Sequence, residues 1–262
     1  MAELAGLNGV PLLTPAPFSH TVESRFGQRA AAYDSQAVLQ KAVAWRLVRL
    51  LRGQALPAGP CADLGAGSGA VATALAQLAP AMLQRQPLQV DCSAALLARN
   101  PVPDRRRLWD LNRGLPPDLH GAALLTSSFA LQWLDCPVRQ LEHWCDGLLP
   151  GGVLALAVPT AGSFRQWHQA AARSGIPCTA LPLPAGPELV QAAGTRLQLL
   201  ACQQLRFSRP AGGLALLRQM RAIGADASPA APLSGGQLRH LLRHWPAGPT
   251  TWELLLLVGR RP

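Results

Sequence analysis

The sequence predicts an α/β fold: a doubly wound, seven-stranded sheet with a helical insertion between its last strands. Three observations carry this. Apolar runs of strand length alternate with helical stretches through residue 158, in the order β-α-β-α-β-(α)-β-α-β that calls for a parallel sheet. The first of these strands, at Cys61, runs into the glycine turn Asp63-Leu64-Gly65-Ala66-Gly67-Ser68-Gly69 and then a helix. Open α/β sheets bind nucleotides at such a turn. A length of 262 residues, 49% of them hydrophobic, suits one domain with insertions.

Taken in order, residues 1–24 read as a flexible leader, and 25–262 as the domain. The start carries Glu3 and prolines at 11, 15 and 17 with no basic stretch, unlike a signal peptide or a membrane span. A helix is predicted over 36–52, with Val38, Leu39, Val43, Leu47, Leu50 and Leu51 as its apolar stripe, stopped by Gly53 and Pro57. In the glycine turn, residues 65, 67 and 69 permit positive φ and let a ligand approach the backbone. The helix that follows, over 71–83, offers its free N–H groups to a polar or anionic ligand. A second strand over 87–91 ends in Asp91, 22 residues past Gly69, and a helix follows over 93–99. Residues 107–111 read as a third strand carrying Asp110. The fourth strand, 122–127, lies beside the first across the topological switch point and ends in Ser127. A helix over 138–149 and a Pro150-Gly151-Gly152 turn lead to a fifth strand over 153–158. A helix over 163–174, a proline-rich loop over 176–188 and a sixth strand over 198–207 follow. Helices over 213–223 and 237–245 flank a Pro/Gly/Ala loop, and 252–258 is the closing strand. The stretch 212–246 is too long for an ordinary connection and is expected to form a helical lid or substrate cap.

Net charge is +10, from 24 basic residues (all arginine except Lys41) against 14 acidic ones. This favours anionic partners. No like-charge run exceeds Arg105-Arg106-Arg107, and no basic–aromatic patch or appended module points to nucleic acid. The six cysteines form no Cys-x-x-Cys pair, and several sit in apolar runs. Reduced thiols, no metal site and a cytoplasmic location are therefore expected. The six histidines are scattered and suggest no catalytic role.

Two cofactor geometries fit the glycine turn. Gly65, Gly67 and Ala70 satisfy the dinucleotide pattern. Asp63, two residues before the first glycine, with a third glycine at 69, makes Asp-x-Gly-x-Gly-x-Gly. That resembles the first motif of class I S-adenosylmethionine (SAM)-dependent methyltransferases, a Rossmann-like family. There the turn lies under the methionine part of the cofactor, and the early acid holds the turn and the ammonium group. An acid at the spacing of Asp91 hydrogen-bonds ribose hydroxyls. For Asp110 two readings stand: the family's acceptor for the adenine amino group, or the cap of a turn before Pro116-Pro117.

Four stretches narrow the resemblance: Phe26-Gly27-Gln28-Arg29-Ala30-Ala31-Ala32-Tyr33, the turn itself, Ser127-Ser128-Phe129-Ala130-Leu131-Gln132-Trp133, and Leu217-Arg218-Gln219-Met220-Arg221-Ala222-Ile223-Gly224-Ala225. From Arg25 to Arg261 the chain resembles the malonyl-[acyl-carrier protein] O-methyltransferase (BioC) family of biotin synthesis. Ser128 departs from the family's usual asparagine. The resemblance implies SAM-dependent methylation of the free carboxylate of a malonyl thioester, on acyl carrier protein or coenzyme A, with neither nucleic acid nor membrane as partner. The ester would then prime chain elongation toward biotin. A carboxylate attacking a sulfonium needs no general base, so placement and water exclusion suffice. The implied cofactor set is Asp63, Gly65, Ala66, Gly67, Gly69, Asp91, Cys92, Asp110 and Ser127. Tyr33, Gln132 and Trp133 would wall the reacting pocket. A cation should hold the carboxylate, from Arg218 and Arg221 on the lid or Arg25 and Arg29 beside Tyr33. The competing readings are a methyltransferase for RNA or another small molecule, and a SAM-binding scaffold without activity.

Overall fold

A computed structural model describes residues 17–210 and 212–262, so most of the predicted leader lies outside the described residues. The strands are β1 (Cys61–Leu64), β2 (Leu88–Asp91), β3 (Arg106–Leu108), β4 (Ala122–Ser128), β5 (Leu148–Pro159), β6 (Gln198–Arg209) and β7 (Thr250–Arg260). They form one sheet in the order β3-β2-β1-β4-β5-β7-β6. The first five strands are parallel. β7 runs antiparallel to both β5 and β6. The predicted seven-stranded, doubly wound α/β sheet is therefore what the chain forms.

The helices are α1 (Phe18–Gln36), α2 (Val38–Leu51), α3 (Ala70–Leu78), α4 (Pro80–Leu83), α5 (Ala94–Leu97), α6 (Pro137–Asp146), α7 (Arg165–Ser174), α8 (Gly186–Gly194), α9 (Gly213–Ala222) and α10 (Gly235–Arg243). Alternate strand residues bury on opposite faces. Cys61, Leu124 and Leu256 pack with Val43, Leu47, Val71 and Leu75 of α2 and α3. Ala62, Leu64 and Leu125 pack with Leu141 and Trp144 of α6 and Leu189 of α8. Helices on both faces explain why β1 and β2 are buried along their whole length. A separate small core joins α7, α9 and α10 through Trp167, Ala170, Leu216, Met220 and Leu241. The two helices predicted within 212–246 are present, and α7 completes their core.

Several predicted boundaries move. Residues 18–24, assigned to the leader, are the first turns of α1. The single helix over 36–52 is α2 alone, separated from α1 at the fully buried Ala37, and Val38 of its predicted stripe is 68% exposed. The helix over 71–83 breaks at Ala79, ahead of Pro80, into α3 and α4. The loop over 176–188 ends in an unpredicted helix, α8, whose Pro187 lies in its first turn, where proline lacks only an N–H that would be unpaired anyway. Pro150 to Gly152, expected as a turn, is drawn into β5. Among the described residues no helix is long and apolar enough to cross a membrane.

Candidate functional site

The site lies at the carboxyl ends of β1, β2 and β4, on either side of the switch between β1 and β4. Gly65, Gly67 and Gly69 have φ of 72°, 51° and 89°. A Cβ on Gly65 would sit 2.1 Å from that of Ala130, so only glycine lets the turn pass that loop. The turn is tied to β2: the amides of Gly65 and Ala66 donate to the Val90 carbonyl at 2.8 and 2.9 Å. The Gly67 amide donates to Asp91 Oδ2 at 2.8 Å, and the Ser93 amide to Asp91 Oδ1 at 2.8 Å. Burial raises the Asp91 carboxyl above its ordinary range, and these amide bonds oppose that shift.

Asp63 is buried, and its Oδ1 accepts from Thr126 Oγ1 at 2.8 Å. Its Oδ2 has no partner. Burial pushes its pKa up to about 7, against the opposing Thr126 bond. A buried carboxylate oxygen at a cavity wall suits a ligand that brings an ammonium group.

That cavity encloses about 890 Å³, its open mouth included. Asp63, Gly65, Ala66, Gly67, Asp91 and Cys92 line it, as does Asp110. Asp110 Oδ1 also accepts from the amide of Asn112 at 2.9 Å, so it caps a local turn as well as facing the cavity. Two expected residues do not line it. Ser127 Oγ donates to the Leu64 carbonyl at 2.8 Å and holds β4 to β1; its neighbour Ser128 faces the cavity instead, because successive strand residues point to opposite faces. Gly69 packs against Pro101, whose Cδ a Cβ there would meet at 2.3 Å. Trp109 and Asn112 are lining residues that the spacing of acids did not single out.

A second cavity of about 590 Å³ adjoins the first and shares Phe26, Tyr33, Gln40, Phe129 and Trp133 with it. Gln132 lines it; its Nε2 donates to the Phe129 carbonyl at 2.8 Å, and its Oε1 has no partner. Phe26 stands edge-on to Trp133 at 5.4 Å and to Tyr33 at 6.1 Å. Phe129 and Phe164 hold φ of 57° and 56°, an uncommon conformation for bulky residues. Each is held by its amide, Phe129 to the Ala157 carbonyl at 2.9 Å and Phe164 to the Thr251 carbonyl at 2.8 Å. Burial, with the Asp91 and Asp34 charges, raises the Tyr33 phenol well above its ordinary value. It therefore stays a proton donor, not a base, at neutral pH.

Helix α1 covers both cavities with Phe26 and Tyr33. Asp34 near its end accepts from Ser68 Oγ in the glycine turn at 2.6 Å and pairs with Arg99 at 3.2 Å. The four candidate arginines line neither cavity. Arg218 and Arg221 are exposed on α9, and Arg29 is half-buried on α1. Arg25 pairs with Asp226 at 3.9 Å, and Asp226 does line the second cavity.

No protein-family profile matches the chain. It is 34% identical to a malonyl-[acyl-carrier protein] O-methyltransferase of Alcanivorax borkumensis over 96% of this chain and 90% of that one. It is 32% identical to the biotin biosynthesis bifunctional protein BioCD of Bordetella avium over 89% of this chain, and spans 50% of that longer protein's length. Among solved structures it resembles a geranyl diphosphate C-methyltransferase of Streptomyces coelicolor bound to S-adenosyl-L-homocysteine, with a TM-score of 0.55, 15% identity and coverage of 95% and 99% of the two chains.

Proposed function

The chain belongs to the malonyl-[acyl-carrier protein] O-methyltransferase family, and we propose that it methylates the free carboxylate of a malonyl thioester carried on acyl carrier protein. It is a SAM-dependent O-methyltransferase. One observation carries the proposed acceptor: two cavities meet at Tyr33, Phe129 and Trp133, one with a bare buried carboxylate oxygen, the other walled mainly by aromatic and aliphatic side chains.

SAM, when bound, supplies an electrophilic methyl group. Asp63 Oδ2, buried without a partner, would pair with the ammonium of the cofactor's methionine part. Asp91, with each oxygen already taking one amide N–H, keeps lone pairs for ribose hydroxyls. Asp110 and Trp109, which line the same cavity, would stand at the nucleobase end. Phe129, Trp133 and Phe26 exclude water where the cavities join, which strengthens charge interactions inside. The acceptor carboxylate is ionised at neutral pH and needs no base. Tyr33, held protonated, donates to it and orients one oxygen. Of the four candidate arginines, Arg25 supplies the countercharge, since its partner Asp226 lines the acceptor cavity. The exposed Arg218 and Arg221 attract the acidic carrier. All six cysteines are free, which fits a reducing, cytoplasmic setting.

A labelled-methyl transfer assay tests the reading. Malonyl-carrier protein should accept methyl groups, malonyl-coenzyme A less efficiently, and bulk RNA not at all. Transfer to RNA with none to either thioester would overturn it.

A further inference from the structure

The acceptor cavity holds an acid that the transfer of a methyl group does not require. Among the described residues that line it, Asp226 is the only acid, and none is a lysine, arginine or histidine. Asp226 lies just past α9, in the loop that begins with Gly224. There a Cβ would come within 2.7 Å of the Arg25 carbonyl oxygen and 2.8 Å of Phe26 Cα. The lid loop is thus seated directly on the backbone of α1, beside the residue whose side chain Asp226 pairs with. The Asp226 side chain is 26% exposed and that of Arg25 45%, so the acid is the less exposed partner.

We infer that Asp226 is a specificity-determining residue that admits acyl groups with one free carboxylate and rejects free dicarboxylic acids. This rests on the carboxylate-methylating function proposed above. One carboxylate at the Asp226 edge of the cavity can share the Arg25 guanidinium, which reaches Asp226 from outside the lining. A second carboxylate on the same small molecule would face Asp226 with no cation left to offset it, and like charges in a partly dry cavity repel strongly. In a thioester the second carboxyl is neutral and meets no such penalty. Discrimination then comes from a repulsive element built against the wrong ligand rather than from extra contacts to the right one. The same pair favours product release: a methyl ester is neutral, and Arg25 returns to Asp226.

The test measures free malonate as a competitive inhibitor of methyl transfer to the malonyl thioester. The proteins are the wild type, Asp226→Asn, Asp226→Ser and Asp226→Glu, each checked for S-adenosylhomocysteine binding by calorimetry. Both neutral variants should bind malonate at least tenfold more tightly than the wild type, while Asp226→Glu keeps the wild-type inhibition constant. Arg25→Ala should weaken malonate inhibition in the Asp226→Asn background. If either neutral variant binds S-adenosylhomocysteine normally yet shows a malonate constant within threefold of wild type, Asp226 does not set this selectivity. A wild-type enzyme inactive on the malonyl thioester overturns the proposed function and this role with it. An active wild type with unchanged malonate constants overturns this role alone.

Discussion

Asp63 carries one bonded carboxylate oxygen and one bare one, and its behaviour with pH follows from that. Its pKa of about 7 lies far above the ordinary Asp value, so the folded apoprotein binds a proton that the unfolded chain has released. The group therefore favours the fold below about pH 4, and that contribution is lost as pH rises through 7. Asp63→Asn should stabilise the apoprotein at pH 8, on the order of 1–3 kcal/mol, because no buried charge remains to be satisfied. Thermal unfolding checks this. The same change should weaken cofactor binding at least tenfold. In the wild type, S-adenosylhomocysteine affinity should fall as pH drops below 7, because the carboxyl must lose its proton before it can pair with an ammonium. Affinity flat from pH 5 to 8 would remove Asp63 from the ammonium site. Asp91→Ala should lose charge-assisted bonds of about 1.5–3 kcal/mol, read by calorimetry. Both acids were legible as residues, because an acid two before a glycine turn and an acid at the next strand end are local patterns. Ser128 was not: which of two adjacent serines faces the cavity depends on strand register, and Ser127 spends its hydroxyl on β1.

Helix α1 is the element the sequence exposed least. Its apolar residues are few and its N-terminus has no side-chain cap, so periodicity is weak and its first turns read as leader. It folds because tertiary contacts hold it: Phe26 on Trp133, Ser68 on Asp34, and Arg99 on Asp34. Asp34→Ala removes the last two together. The expected result is faster proteolytic cutting within α1 in the apoprotein, with protection restored by S-adenosylhomocysteine. Equal cutting in variant and wild type would show that the aromatic contacts alone seat the helix. Gly224→Ala strikes where the segment after α9 meets the backbone of α1. A φ of 73° and a contact of 2.7 Å to the Arg25 carbonyl both disfavour a side chain. A cost of about 1–3 kcal/mol is expected, seen as a fall in Tm of about 2–4 °C per kcal/mol. Helix α8 was hidden for a different reason. Prolines at 177, 182, 184 and 187 mark a loop by composition, but the last of them belongs to a helix start.

Across the whole molecule, the charge of +10 matters through encounter rate, not through the fold. Raising salt should lower kcat/KM for malonyl-carrier protein steeply, and hardly at all for a short malonyl thioester lacking a charged carrier. Replacing Arg218 and Arg221 together with alanine should flatten that salt dependence without changing cofactor affinity; an unchanged slope would place the carrier elsewhere. The sequence by itself determined the doubly wound sheet, the glycine turn between β1 and α3, the acids at 63 and 91 and the helices within 212–246. All of these follow from hydrophobic period, turn chemistry and short-range spacing. Only the tertiary structure decided that α1 lines both joined cavities while the segment after α9 lines only the second. It alone placed Phe129 and Phe164 at a strained wall and left all four candidate arginines outside the lining of both cavities. It also put Asp226 beside Arg25. Residues 25 and 226 meet because α9 packs on α1, a contact between distant parts of the chain. Local pattern does not encode such a contact, since it depends on how complete elements pack.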